Sequence, residues 1–392
     1  MYTRTLENDL LYFSKKYPII TLLGPRQAGK TTLIRKIFHE LPYINLEDFE
    51  QRSLAKADPK SFLEKFPEGA IFDEIQRVPE LLSSIQVKVD QALKKGMFIL
   101  TGSHQVQLHA EASQSLAGRT TILRLLPLSL EEIRCNDIEI ALEEVMLKGG
   151  YPRIYHDNLP VTNAYSSYFQ TYVERDVRSI INIKDILKFE KFVKLLAARV
   201  GQVINYASLA TDVGISAVTI KEWVAVLEAS YLIFKLDPYF ENFGKRLIKS
   251  PKIYFTDTGL LCYLLGIETI VQLQQDMLYG NIFENFAILE LHKACYHHAR
   301  EPRFYFYRDV TGKEVDLLIQ KGSSLIPIEI KSSKTFQASF LDGIFHFHQQ
   351  AGARALKGAL VYSGLDNHQI KNVQVLPIEK SLEVFKLEKD YE

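Results

Sequence analysis

The sequence predicts an α/β protein: a parallel sheet in its first third, then a helical region and a second α/β domain. Apolar runs of strand length alternate in the first third with stretches of helical period, the pattern of a parallel sheet with helices on both faces. A loop of the form G-x-x-x-x-G-K-T follows the first apolar run and precedes a helix, at residues 24–31. The length of 392 residues exceeds one ordinary core, so several domains are expected.

The composition is that of a globular protein with no overall charge. Hydrophobic residues make up 47% of the chain, enough for several cores. Since 47 Lys and Arg balance 47 Asp and Glu, any binding to nucleic acid must depend on a local patch. The first 17 residues lack a signal-like apolar segment, and no apolar stretch is long enough to span a bilayer. We therefore expect a cytoplasmic protein with no membrane contact.

The loop at residues 24–31 predicts binding of the phosphates of ATP. Backbone N–H groups at a helix N-terminus favour negative charge, and Lys30 would neutralise the β and γ phosphates. Thr31 would place its hydroxyl on Mg²⁺, while Gly24 and Gly29 allow a close backbone approach. The residues expected to contact the nucleotide are Gly24, Pro25, Arg26, Gln27, Ala28, Gly29, Lys30, Thr31 and Thr32.

The apolar run at residues 69–72 ends in two adjacent carboxylates, Asp73 and Glu74. Such a pair at a strand end is often only a solvated terminus. Here it follows a phosphate-binding loop by one or two strand–helix units, where a nucleotide site needs acidic groups. We expect Asp73 to hold Mg²⁺ together with Thr31, and Glu74 to activate the attacking water as a general base.

Further polar residues are candidates for the same site. The next apolar run ends at Thr101 and Ser103, of which Ser103 is preferred for contacting the γ-phosphate or the water; a plain turn residue is the alternative. An arginine from a neighbouring subunit could stabilise charge on the phosphate. Arg119 is the candidate within the domain, with Arg175 and Arg178 beyond it, and a surface ion pair is the alternative for each.

Several short motifs together resemble a large, mostly uncharacterised group of bacterial and archaeal AAA-type ATPases. The motifs are GPRQAGKTTL, IFDEIQ, LTGSH, LAGR, GGYP and YVERDV, and the resemblance covers nearly the whole chain. It implies an AAA+ ATPase domain over residues 1–130 that uses ATP and Mg²⁺, belongs to the additional-strand, catalytic-glutamate class and acts as a homo-oligomer. Ser103 would take the role called sensor 1. Members carry a second region of unknown function after the ATPase domain.

The middle of the chain has two predicted parts. Residues 131–196 follow a helical pattern with a break at residues 149–152, and they are expected to form a lid or linker. Residues 197–268 predict a winged helix-turn-helix, with a turn at Gly214 and a second helix capped by Ser216. Two strands would form the wing, around a basic loop of Lys245, Arg246 and Lys249.

The winged helix could bind DNA or a protein. Its second helix offers Thr219 and Lys221 to the outside, but also Glu222 and Glu228. Residues 191–255 hold nine Lys and Arg against five Asp and Glu, which is mildly basic for a DNA-binding surface. Both partners stay open at this point.

The last third, residues 269–392, predicts a restriction-endonuclease-like α/β domain. Strand alternation places Glu329 and Lys331 on one face. With Asp316 at the start of the preceding strand and Glu284 on a helix, this resembles the D…E-x-K constellation of restriction-endonuclease-like folds. The resemblance implies that the three carboxylates bind Mg²⁺ or Mn²⁺ and that Lys331 orients a water during phosphodiester hydrolysis.

The sequence therefore leaves two functions open. E-x-K strings are frequent in exposed strands, and nuclease-like folds often persist as binding modules. The first function is an ATP-driven, DNA-associated enzyme with a nuclease-like domain. The second is a nucleotide-dependent switch whose winged helix and C-terminal domain bind a protein partner without cleavage. Stimulation of ATPase activity by DNA would separate the two.

Overall fold

A computed structural model describes residues 2–103, 116–136, 139–177, 185–239, 250–309 and 311–387. Two sheets organise this part of the chain. The first has five strands and the second has eight. The predicted α/β architecture is confirmed, with the parallel sheet first, helices next and a mixed sheet last.

The first sheet is parallel throughout, in the strand order β2-β3-β4-β1-β5. Its strands β1, β3 and β4 are buried along their whole length, as expected for a sheet covered on both faces. The strands are β1 (Ile19–Leu23), β2 (Tyr43–Asn45), β3 (Ala70–Asp73), β4 (Phe98–Gly102) and β5 (Thr120–Arg124). The helices of this region are α1 (Glu7–Ser14), α2 (Lys30–Ile37), α3 (Phe49–Ala57), α4 (Pro59–Glu64) and α5 (Leu81–Ala92).

Strand β1 lies between β4 and β5, so the connections that follow β1 and β4 cross the sheet in opposite directions. Ligands of open α/β sheets bind at such a point, outside the carboxyl ends of the strands. The predicted phosphate-binding loop leaves β1 at that edge, and the predicted acidic pair ends β3 at the same edge.

A helical region follows the first sheet. Its helices are α6 (Leu130–Cys135), α7 (Leu142–Lys148), α8 (Pro152–His156), α9 (Val161–Tyr168), a π-helical continuation (Phe169–Val177) and α10 (Ile186–Ala197). The predicted break has a steric cause at Gly149, whose φ is +68°. A Cβ there would lie 2.2 Å from the hydroxyl of Tyr165 and 2.3 Å from Oδ1 of Asp257.

The two helices predicted at residues 205–229 are α11 (Tyr206–Val213) and α12 (Ala217–Ala229). Gly214 ends the first in a left-handed conformation, and Ser216 caps the second by accepting the N–H of Thr219. Trp223 lies against Phe189 and Phe192 of α10, with ring centroids 5.3 and 5.4 Å away. The buried residues of α12, among them Ile220, Trp223 and Leu227, thus face the core.

The second sheet joins the predicted wing to the C-terminal domain. Its order is β12-β13-β11-β10-β9-β8-β6-β7, and β6 pairs with β8 through Asp237 and Pro238. The predicted boundary between residues 268 and 269 therefore falls between strands of one sheet. The strands are β6 (Ile233–Pro238), β7 (Lys252–Phe255), β8 (Phe304–Arg308), β9 (Glu314–Lys321), β10 (Ser324–Lys331), β11 (Gly358–Tyr362), β12 (His368–Ile370) and β13 (Val373–Pro377). The basic loop of Lys245, Arg246 and Lys249 lies outside the described residues.

Helices pack on this sheet and connect it to the N-terminal half. They are α13 (Thr258–Leu265), α14 (Ile270–Gln275), α15 (Tyr279–His297) and α16 (Asp342–Ala351). A single apolar core extends from Leu128 to Leu387 and includes side chains of α10, α12, α13 and α15. Among the helices that the structure describes, none is both long and apolar enough to cross a membrane.

A buried carboxylate connects the helical region to the second sheet. Asp257, which is fully buried, directly precedes α13 and accepts hydrogen bonds from Gly150 N (2.7 Å), Tyr165 Oη (2.6 Å) and Leu260 N (2.9 Å). Burial raises the pKa of this carboxyl group, and these donors oppose that rise. Three segments far apart in sequence therefore meet at one side chain.

We expect Asp257→Ala to lower the free energy of unfolding by about 3 kcal/mol or more, because three buried donors lose their acceptor. Asp48→Ala is the matched control, since Asp48 also caps a helix through an N–H of the first turn but lies on the surface. It should cost about 1 kcal/mol. Urea unfolding followed by the fluorescence of Trp223 measures both, and equal losses would contradict the role given to Asp257.

Candidate functional site

The loop between β1 and α2 has the conformation of a phosphate-binding loop. Gly24 approaches β5 so closely that a Cβ would lie 2.0 Å from the carbonyl oxygen of Leu125, and Gly29 has a φ of +93°. The Nζ of Lys30 donates to the carbonyl oxygens of Gly24 and Pro25, both at 2.8 Å. Glycine is thus required where the loop is tightest, and Lys30 is folded back across it.

Lys30 is a buried cation at the start of α2. Burial lowers the pKa of its ammonium group, and the nearby carboxylates of Glu74 and Asp73 oppose this effect. Its two acceptors are neutral carbonyl oxygens, which are weaker partners for an ammonium than phosphate oxygens are. A bound polyphosphate would therefore be a better partner for Lys30 than the loop itself.

Three hydroxyl groups hold the carboxylate of Asp73. Thr31 Oγ1 donates to its Oδ2 at 2.8 Å, Tyr43 Oη donates to the same oxygen at 2.6 Å, and Thr101 Oγ1 donates to Oδ1. The hydroxyl of Thr31 and the carboxylate of Asp73 thus lie side by side, as predicted for the Mg²⁺ position. Their oxygen atoms are of the type that Mg²⁺ binds, so this pair fits the ion.

Sequence reasoning did not identify the roles of Tyr43 and Thr101 at Asp73. Tyr43 begins β2, which pairs with β3 so that Asn45 lies opposite Asp73. Thr101 is a candidate from the sequence for contacting the γ-phosphate. In the structure its hydroxyl donates to Asp73 and accepts the N–H of Glu74 at 3.3 Å. Only the order of the strands brings these side chains together, and no local motif signals it.

Glu74 leaves the strand in a left-handed conformation, with a φ of 58°. This conformation is costly for a residue with a side chain and is concentrated at functional sites. Ser103 Oγ donates to Glu74 Oε2 at 2.9 Å, and Gln76 Nε2 donates to the same oxygen. The structure therefore places Ser103 beside the general-base candidate and adds Gln76, which sequence reasoning did not select.

Arg119 does not lie at the edge of the sheet where the phosphate-binding loop of its own chain begins. It directly precedes β5, and its carbonyl oxygen accepts the N–H of Ile19 at the opposite end of β1. Its guanidinium forms two hydrogen bonds with the carboxylate of Asp90, at 2.6 and 2.8 Å. The side chain of Arg175 and the whole of Arg178 lie outside the described residues.

A cavity of about 660 Å³ opens between the phosphate-binding loop and the helical region. Lys30, Thr31, Thr32 and Glu74 line one side of it. The residues on the other side belong to α8, the π-helical segment and the start of the chain: Tyr2, Pro152, Arg153, His156, Thr171 and Tyr172. Residues of the predicted lid thus form a wall of the cavity.

Arg4 ties the loop to the helical region. It is 5% exposed, and its guanidinium donates to the carbonyl oxygens of Ala28 (2.8 Å) and Leu126 (2.7 Å). Its Nε lies 3.1 Å from Oε1 of Glu132 on α6. A single buried cation therefore links the loop, the end of β5 and the first helix after the sheet.

The four residues of the predicted nuclease-like constellation meet at a second, acidic site. The Nζ of Lys331 lies 2.7 Å from Glu329 Oε2 and 3.2 Å from Asp316 Oδ2. Asp316 Oδ2 also accepts the N–H of Ile330 at 2.8 Å. Glu284 reaches the site from α15, where its Oε1 accepts Tyr254 Oη at 2.5 Å.

A fifth side chain enters this site from β7. The Nζ of Lys252 lies 3.1 Å from Glu284 Oε1 and 2.5 Å from Glu314 Oε1. Sequence reasoning did not select Lys252 for this site. Lysine ammonium groups thus contact the carboxylates that would bind Mg²⁺ or Mn²⁺. Within the part of the chain that the structure describes, no group of three or more Asp, Glu, His or Cys is placed to hold a metal ion. The residues, as arranged, do not fit the predicted metal.

Comparison with protein families gives three successive matches along the chain. Residues 16–134 match an AAA domain. Residues 139–270 match a domain of unknown function (DUF8612), and residues 279–381 match another (DUF4143). The prediction of an AAA-type ATPase followed by a region of unknown function is confirmed.

Related proteins span most of the chain. The "Uncharacterized protein Rv2008c" of Mycobacterium tuberculosis is 30% identical over 321 residues, which cover 81% of this chain and 71% of that protein. The "Uncharacterized protein MJ1637" of Methanocaldococcus jannaschii is 26% identical over 389 residues, covering 84% of this chain and 78% of the relative. Among solved structures, the Walker-type ATPase PABY2304 of Pyrococcus abyssi matches 67% of this chain and 96% of that one, with 16% identity and a TM-score of 0.46.

We expect nucleotide affinity to fall as the pH rises toward 10.5, before an ordinary lysine would lose its proton. The reason is that the lowered pKa of Lys30 removes its charge below the usual value of 10.5. Lys30→Arg keeps its charge over this range and should give a flatter profile, whatever its absolute affinity. Fluorescence polarisation of a labelled ATP analogue measures both, and parallel profiles would contradict the assignment.

Proposed function

We propose that this chain, which belongs to the family of Rv2008c, hydrolyses ATP at the AAA domain. It would use the cycle of ATP binding and hydrolysis to control a DNA-associated C-terminal half. One observation carries the hydrolytic part: Lys30, Thr31 and Glu74 line a single cavity, and Asp73 bonds directly to Thr31. One site thus contains a residue for phosphate binding, a residue for metal binding and a residue for general-base chemistry.

The chain's own residues would divide the reaction as follows. Lys30 exchanges its carbonyl partners for phosphate oxygens, and the N–H groups at the start of α2 hold the chain of phosphates. Thr31 and Asp73 would hold Mg²⁺, which would neutralise charge on the phosphates. Glu74 takes the proton of the attacking water, while Ser103 and Gln76 fix the position of its carboxylate.

The active form would be a homo-oligomer in which an arginine reaches the site of the next subunit. Arg119 is the proposed residue within the AAA domain. Its side chain is 32% exposed and that of its partner Asp90 is 46% exposed, so this surface pair is weak enough to exchange for a phosphate. Because Arg119 lies at the far edge of its own sheet, it could act only on a neighbour.

We place the proposed contact of the C-terminal half with DNA at its acidic site. Asp316, Glu329, Lys331 and Glu284 lie there, the residues that the resemblance to nuclease-like folds implies. Because two lysines occupy the carboxylates, we derive no cleavage step from this site. Lys331, whose side chain is 33% exposed, would contact the phosphates, so the proposed association is DNA binding without cleavage.

A second candidate function is a nucleotide-dependent switch that binds a protein. It is favoured by the outer face of α12, where Val218, Lys221, Glu222 and Ala225 are exposed. One lysine and one glutamate give this face no net charge, whereas DNA binding depends on neutralising phosphates. Val218, which is 66% exposed, would suit an apolar protein contact.

We expect Glu74→Gln to reduce ATP turnover by about 10²- to 10⁴-fold while ATP binding persists, because the amide cannot accept the proton of water. Lys30→Ala should abolish both turnover and binding. Glu80→Gln serves as the control, since Glu80 is an exposed carboxylate on the following turn and should leave turnover unchanged. Phosphate release measures turnover, and wild-type turnover in Lys30→Ala would refute the site.

We expect DNA to raise ATP turnover several-fold and this stimulation to fall steeply with salt, since it depends on phosphate contacts. The assay compares single- and double-stranded DNA in Mg²⁺ and in Mn²⁺ and follows the same DNA for cuts, which should not form. Cleavage that disappears in Asp316→Ala would establish a nuclease instead. Turnover that ignores DNA would favour the protein-binding switch.

A further inference from the structure

Lys252 is a buried cation at the acidic site with no role in the predicted constellation. It begins β7 and is 4% exposed, and its ammonium group lies over the ring of Phe306, 5.6 Å from the centroid. Burying an ammonium is costly unless carboxylates surround it. The buried position of Lys252 is therefore a specific feature of the acidic site.

The partners of Lys252 come from two other elements. Glu284 belongs to α15 and Glu314 to β9, and the ammonium group bridges one oxygen of each. Tyr254, two residues along β7, donates to the same oxygen of Glu284. One strand thus supplies both a cation and a hydroxyl to a carboxylate that the resemblance assigns to metal binding.

Three cations already contact the carboxylates of this site. The carboxylates are Glu284, Glu314, Asp316 and Glu329. The cations are Lys252, Lys331 and Arg308, whose Nε lies 3.6 Å from Glu314. Each carboxylate therefore has a protein cation within 4 Å.

We propose that the ammonium group of Lys252 is the resident cation of the acidic site, standing in the place of a divalent metal ion. The site then binds a phosphodiester backbone through Lys331, whose side chain is 33% exposed, and has no metal with which to cleave it. This inference rests on the proposed C-terminal site and is independent of ATP hydrolysis. It explains why the four predicted residues assemble without forming a metal centre.

The test measures Mn²⁺ binding by electron paramagnetic resonance, in protein without nucleotide so that the AAA site contributes no bound ion. Wild-type protein should leave the spectrum of free Mn²⁺ unchanged. Lys252→Met should gain a site that binds Mn²⁺ at least about tenfold more tightly than wild type, because Glu284 and Glu314 lose their cation. The gain should disappear in the double variant that also carries Asp316→Ala.

Lys235→Met is the matched control. Lys235 lies on the neighbouring strand β6 and pairs with Glu228 instead of the acidic site, so its loss should create no Mn²⁺ site. Circular dichroism and thermal unfolding establish that each variant is folded.

Two results would overturn the proposal: Mn²⁺ bound by the wild-type protein and lost in Asp316→Ala, or a folded Lys252→Met with no gain. If Lys252→Met does not fold, Mn²⁺ binding by the wild-type protein is the deciding measurement. Stoichiometric Mn²⁺ binding that is lost in Asp316→Ala would refute the proposal. A wild-type protein that binds no Mn²⁺ would support it. None of these measurements contains ATP or DNA. Failure of the proposed function would therefore appear separately, in the turnover and DNA assays.

Discussion

The buried carboxylate of Asp257 is the contact on which the arrangement of the two halves depends. It binds Gly150 and Tyr165 of the helical region while capping the helix that follows β7. Residues directly after Gly150 form a wall of the nucleotide cavity. Because a buried acceptor that loses its donors is costly, the wall of this cavity and strand β7 cannot move independently without breaking this junction.

Helix α15 provides a second connection between the two sites. Glu284, near its start, belongs to the acidic site, while Lys293, near its end, donates to the carbonyl oxygen of Leu128 at 2.8 Å. Glu290 accepts the N–H of Leu130 at 2.7 Å. The ten residues from Glu284 to Lys293 rise about 14 Å along the helix. Helix α15 therefore joins the end of the AAA domain directly to the acidic site.

The features predictable from the sequence were those carried by local patterns. The spacing of the loop, the carboxylates that end β3 and the alternation of Glu329 and Lys331 each lie within a few residues. The partners of those residues are set by sheet order. Tyr43 reaches Asp73 from a neighbouring strand, and Lys252 meets Glu314 only because β6 pairs with β8. A periodic pattern shows which face of a strand is buried, but not which strand lies beside it.

The pairing of β6 with β8 bears on how this protein can be divided. Strand β8 is flanked by β9 on one side and by β6 on the other. A fragment that began at residue 279, where the second region of unknown function is recognised, would expose that edge and its unpaired backbone groups to other chains. It would also leave Glu284 and Glu314 without the cation that Lys252 supplies. The two regions match separate sequence families but share one sheet, so a fragment that keeps these contacts has to contain both regions.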